Sequence, residues 1–250
     1  MLGIAAIVSR LAAARGIDPL RAAAFVALNP LVLVHVVGGA HNDGLTMLLA
    51  MLAVAAILSA RELSGGIALT TAVATKAAAA FVAPFALLGT RSSSPTGRKA
   101  VYLSGFRPVG RFLAGAGLAA AIIAAAAWLA FGWDWLHGFG LAGENQSRTS
   151  YMSIPITTAR LTGLDPDPVR LAAAILFAAA ILFLLAWTWH GGDWVRATAW
   201  AALALLLATA WLLPWYLIWL LPLAAISRDR PLQLLTLGLT AYQLGAMIPL

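Results

Sequence analysis

The chain is 250 residues long, 62% hydrophobic and 10% charged, with a formal charge of +7 and no cysteine; its mean hydropathy is +0.90. Charged residues make up about a quarter of an ordinary soluble domain, so this composition excludes one and leaves an integral membrane protein. The basic residues are scattered over short loops between apolar runs, as topology signals are and nucleic-acid-binding faces are not, and the lack of cysteine excludes disulfides and thiolate metal sites.

Apolar windows of roughly 17 to 25 residues can cross a hydrocarbon core of about 30 Å, and only helices or closed barrels satisfy their backbone there. The expected fold class is all-α: a polytopic helical bundle forming a single transmembrane domain over residues 1–250. Met1 to Ser9 falls short of a span before Arg10 and lacks the early positive charge of a signal peptide. Leu250 stops inside another apolar run. The expectation is the middle or C-terminal part of a larger protein, missing at least one complete span upstream of Met1.

The basic stretch Arg10 to Arg21 is placed on the cytoplasmic side. Asp18-Pro19 and Asn29-Pro30 each read as a helix N-cap followed by proline at the first helical position. The chain then climbs to the far face at Gly38 to Gly44 and returns through Leu45 to Ala60. Between Gly65 and Thr90 lies an apolar window with Lys76 near its middle, followed by the basic loop ending at Arg111. A single crossing would put that loop outside, so the positive-inside bias predicts a hairpin of two half-length helices meeting near Lys76. Phe112 to Phe131 crosses outward, Gly132 to Pro168 forms the long outer loop, and Val169 to Trp189 returns. Thr198 to Ile226 reads as a helix, a break at "LPWY" and a short helix back; Pro231 begins a last span. Arg91 to Lys99 has linker-like composition, and no internal repeat is detectable.

This threading brings several hydrophilic groups to one outer face. In "GGAHNDGLT", Gly38 to Thr46, Asp43 could cap the helix beginning at Gly44 with His41 and Asn42 in a turn, or all three could line a polar cavity for a sugar or a metal-phosphate headgroup. Both readings stay open. Lys76 is too deep to snorkel from a continuous helix; it either grips a phosphate or pairs with carbonyls at the hairpin break. Trp133, Trp135, Trp211, Trp215 and Tyr216 read first as interfacial anchors. Asp134, His137 and Glu144 read as solvated loop, and "NQS" at Asn145 is a sequon by pattern alone. Arg148, with Ser147, Thr149, Ser150 and Tyr151 beside it, is the cluster best suited to an anion. No zinc spacing, phosphate-binding glycine loop or nucleophile elbow is present.

The stretches "LNPLVLVHVVGGAHNDGLTMLLAMLAV" (Leu28 to Val54) and "LPWYLIWLLPLAA" (Leu213 to Ala225), with Lys76 in an apolar hairpin between them, resemble the GT-C polyprenyl-phosphate-mannose-dependent alpha-1,6-mannosyltransferases of actinobacteria. The resemblance implies a GT-C-like bundle with broken or half-length helices in the plasma membrane. It implies a multi-pass enzyme whose active site faces the non-cytoplasmic side and transfers mannose, with inversion, from a polyprenyl-phosphate donor to a mannan or lipoglycan acceptor. Carried onto this sequence, His41, Asn42 and Asp43 would line the cavity, Lys76 and Arg148 would face the donor phosphate with Ser150 and Tyr151 alongside, and Trp215 and Tyr216 would border the lipid or sugar path. The family's catalytic acidic residue lies in the first outer loop, so no residue here inherits that role, and the chain alone is expected to be inactive. "SRTSYMSIP", Ser147 to Pro155, follows the family pattern only loosely. No cofactor is implied with certainty, and a divalent metal stays open. A transporter or flippase for a lipid-linked or polar substrate is the alternative, since broken helices and midplane charges also occur there.

Overall fold

A computed structural model describes residues 1–92, 106–138, 140 and 148–248. Among these residues there are helices and no strand, which gives the expected all-α class. The loop residues Glu144, Asn145 and Ser147 and most of the linker-like stretch 91–99 lie outside the described residues.

The helix starts follow from local chemistry. In α1 (Leu2–Ala14) and α2 (Pro19–Ala27), only the second has a side-chain cap: the Asp18 carboxylate accepts from Arg21 N, with Pro19 at the first position. Asn29 repeats the device, its Oδ1 accepting from Leu31 N (3.1 Å) and Val32 N (3.3 Å) while its Nδ2 donates to Thr240 Oγ1 (3.1 Å). The segment that follows is not a continuing α-helix but a π-helical stretch, Val32–Val37, a widened turn that commonly marks functional places.

Helices α3 (Asp43–Leu58) and α4 (Glu62–Thr75) are antiparallel. Lys76 leaves the helix with an extended backbone (φ −158°, ψ 119°), a 3₁₀ stretch Ala77–Val82 follows, and α5 (Ala83–Ser92) runs back. Both limbs lead away from Lys76: a Cβ on Gly65 would meet Ile57 near the far end of α3, and one on Gly89 would meet Trp194. This is the hairpin that the charge bias predicts.

Among the described residues two helices are long and apolar enough to span a bilayer: α6 (Phe106–Phe131, 26 residues) and, after α7 (Ile154–Thr162), α8 (Pro166–Trp189, 24 residues). Their most apolar windows are only 17% and 6% buried. Helices so apolar and so exposed would be an aggregation surface in water and are stable facing lipid. Helix α6 packs on α4 through glycines, since a Cβ at Gly66 would lie 2.1 Å from Phe112 O and one at Gly115 would lie 2.1 Å from Leu63 O. The backbones touch there, as small residues allow between membrane helices.

Helix α9 (Trp194–Ala208) returns along α8 and ends early. The sequence places the break at "LPWY", whereas the helix already stops at Ala208. Thr209 and Leu213 are extended (Leu213 φ −120°, ψ 149°), and a 3₁₀ stretch, Pro214–Trp219, leads into α10 (Leu221–Ile226). Proline explains the conformation of Leu213, because it forbids the helical region to the residue before it. Helix α11 (Arg230–Ala246) closes the bundle.

One end of the bundle is tied by ion pairs. Arg15 joins Asp193 and donates through Nε to Ile226 O (2.8 Å), while Arg196 Nε donates to Asp229 Oδ2 (2.6 Å). Burial pushes the Asp229 carboxyl up, but hydrogen bonds from the Trp200 indole, the Leu232 backbone N–H and the Arg196 guanidinium outweigh that and hold it below its ordinary value.

Candidate functional site

The site lies at the opposite end of α9 from those ion pairs. The Asp43 side chain is buried and clasped by three donor contacts: Lys76 Nζ reaches Oδ1 at 2.7 Å and Oδ2 at 2.9 Å, and the Trp219 indole Nε1 donates to Oδ1 at 2.8 Å. Tyr216 stacks on Trp219 with ring centroids 4.3 Å apart, and the ammonium lies over both rings, 4.9 and 5.3 Å from their centroids. Asp43 therefore does not cap α3: Asn42 precedes it without a side-chain cap, and the Asn42 carbonyl accepts from Thr46 N and Oγ1. The protein partner of Lys76 is not a carbonyl at the hairpin break but a carboxylate 33 positions away. A buried lone carboxylate costs several kcal/mol, so Asp43 requires the lysine, whereas Lys76 is 25% exposed and keeps access to the cavity without it.

Lys76, Tyr216 and Trp219 border a cavity of about 830 Å³. Its other polar lining is Asp167 and Arg170 at the start of α8, Thr209, and Trp211; Phe81, Leu171, Ala174, Phe177 and Leu205 supply apolar wall. Arg170 Nη1 donates to Asp167 Oδ1 at 3.2 Å. Arg148 reaches the rim by stacking its guanidinium over Trp211, 5.1 Å from the ring centroid. An enclosure with cationic groups, aromatic faces and a long apolar wall is suited to an amphiphile with an anionic head and a sugar.

The structure divides the residues singled out in the sequence. Lys76 and Tyr216 line the cavity, Asp43 lies beneath Lys76, and Arg148 is at the rim. His41 and Trp215 form a separate stack, with ring centroids 3.8 Å apart and planes at 14°; His35 lies 6.3 Å from Trp215. Trp215 touches the cavity group only edge-on, through Tyr216. Ser150 holds the loop in place: its N–H donates to Ala210 O (2.9 Å) and its Oγ accepts from Met152 N. Tyr151 is exposed, and its carbonyl accepts from Thr157 Oγ1. Asp134 and His137 are solvated, 3.8 Å apart. Among the described residues, no cluster of His, Cys, Asp and Glu could hold a metal ion.

Sequence reasoning missed Trp219 and Arg170. A signal existed for the Asp43 pair, since Asp43 is the only acidic residue between Asp18 and Glu62 and an intramembrane lysine needs an anion. Arg170 looks in the sequence like the basic edge of a loop and gives no comparable sign.

Residues 1–91, which include Asp43, Lys76 and the whole first limb of the hairpin, match the family described as "Alpha-(1->6)-mannopyranosyltransferase, N-terminal domain". The chain is also 31% identical over 219 residues to alpha-(1->6)-mannopyranosyltransferase A of Mycobacterium tuberculosis, an alignment covering 79% of this chain. Over these stretches the chain is similar to alpha-(1->6)-mannopyranosyltransferases. It spans 40% of the length of that relative, and the alignment is long enough that it must extend past the hairpin into the second half of the chain. No solved structure matches.

Proposed function

We propose that the chain forms the donor-binding part of a membrane mannosyltransferase that takes mannose from a polyprenyl phosphate and delivers it to a mannan or lipoglycan acceptor at the non-cytoplasmic face of the plasma membrane. The observation that carries this reading is the composition of the cavity. Lys76 and Arg170 line it together with Tyr216, Trp211 and Trp219, Arg148 stacks over Trp211, and Leu171, Ala174 and Phe177 carry the lining along the lipid-exposed helix α8. A phosphate among the cations would leave the mannose near the aromatic faces and the prenyl chain along the apolar wall.

In the reaction, an acceptor hydroxyl attacks the anomeric carbon, the bond to phosphate breaks, and the polyprenyl phosphate departs with the electron pair while the acceptor proton passes to a base. Cations at the phosphate stabilise the departing charge. The base is assigned to no residue described here. Similarity to alpha-(1->6)-mannopyranosyltransferases supports the sugar and linkage, and the cavity supports a lipid-linked donor over a soluble nucleotide sugar.

The test is binding of radiolabelled mannose donors by membranes containing the protein. Polyprenyl-phosphate mannose should bind, and Arg170→Ala should weaken binding at least tenfold. Binding of a nucleotide-linked mannose in preference to the polyprenyl-phosphate form would overturn the proposal.

A further inference from the structure

Most aspartates at helix starts in this protein serve the backbone. Asp18, Asp165, Asp193 and Asp229 each accept from one or two N–H groups of the helix that follows. Asp43, although it is the first residue of α3, does not. Its oxygens are directed instead at two side chains from distant parts of the chain, the Lys76 ammonium and the Trp219 indole.

We infer that Asp43 is a positioning residue for the anion held in the cavity, acting through Lys76; this rests on the donor reading above. A lysine head is a compact charge on a flexible stem, with three donors free to rotate. Here the bidentate contact with Asp43 takes two of them, and the faces of Tyr216 and Trp219 confine the head from the side. The side chain remains 25% exposed and borders the cavity, while Asp43 is fully enclosed. Lys76 thus meets the ligand with one donor in a fixed direction, and Asp43 never touches it. The positive end of α3 favours the carboxylate where it stands. The other charged groups around the cavity are Arg170 and Asp167 on α8 and Arg148 over Trp211.

A purely structural pair would make a different prediction, because two charges that only neutralise each other can be exchanged. The full chain in nanodiscs is compared with Asp43→Asn and with the exchange Asp43→Lys plus Lys76→Asp. The readouts are melting temperature and crosslinking to a photoactivatable polyprenyl phosphate, with the matching polyprenol as the uncharged control. Asp43→Asn should melt within a few degrees of the parent and bind the phosphate probe at least tenfold more weakly. The exchanged pair, whose enclosed lysine leaves the Trp219 N–H without an acceptor, should melt below Asp43→Asn and bind no better than it. Recovery of both by the exchange, undiminished binding by Asp43→Asn, or failure of Asp43→Asn to fold would each overturn the inference and leave the donor reading intact. A parent protein that binds phosphate no better than polyprenol would instead remove the donor reading, and this inference with it.

Discussion

The two ends of the bundle contain the same three-residue arrangement put to different uses. At one end Asp229 accepts from a tryptophan indole at 2.8 Å and from Arg196 at 2.6 Å; at the other Asp43 accepts from a tryptophan indole at 2.8 Å and from Lys76 at 2.7 Å. Both carboxylates are enclosed. Asp229 also caps its helix, and its arginine stands at the surface, so the group joins α9 to the turn before α11. Asp43 caps nothing, and its lysine faces a cavity. Carboxylate and indole are common to both groups; the cation, arginine in one and lysine in the other, and what it looks out on separate their roles.

Removing each cation or carboxylate should separate the two cases. Lys76→Met strands the enclosed Asp43, and unfolding titrations in detergent should show a loss of about 3–5 kcal/mol, the largest effect expected. Asp229→Ala loses a cap and two side-chain partners but leaves an arginine with access to water, so about 2–3 kcal/mol is expected in the same assay, with probe binding by the folded fraction unchanged. Gln243 supplies the opposite reference, since it is buried and neither its Nε2 nor its Oε1 has a hydrogen-bond partner among the described residues. Gln243→Leu should stabilise by about 1–2 kcal/mol. Acidification gives a smaller and graded effect. Because the folded Asp229 carboxyl titrates below its ordinary value, its contribution is complete above about pH 4 and is lost as the pH falls through the lower folded value. Melting curves from pH 6 to pH 3 would show it, and Asp229→Asn should flatten that limb. The exposed Asp134 and His137 pair should give no measurable change when either is replaced.

Much of the fold is legible in the sequence because lipid imposes simple rules. Apolar length locates the long helices, and the bias of arginine and lysine alone is enough to predict that the chain reverses at Lys76. The caps at Asp18 and Asn29 are equally local and come out as expected. The π-helical turn and the early end of α9 depend on packing that no short window contains. The site is half legible. Lys76 announces itself by depth, but its partner lies 33 positions away, and the indole that shares Asp43 lies 176 positions from it. His41 stands next to Asn42 and Asp43 in the sequence and yet belongs to another group of rings, because the turn before α3 sends it toward Trp215.

The glycine contact between α4 and α6 has a mechanical consequence. With backbone against backbone at Gly66 and Gly115, the limb carrying Lys76 is braced along its length and cannot tilt without the long helix beside it. The cavity therefore has one braced wall, the limb that ends at Lys76, and a facing wall on α8, whose apolar window is only 6% buried.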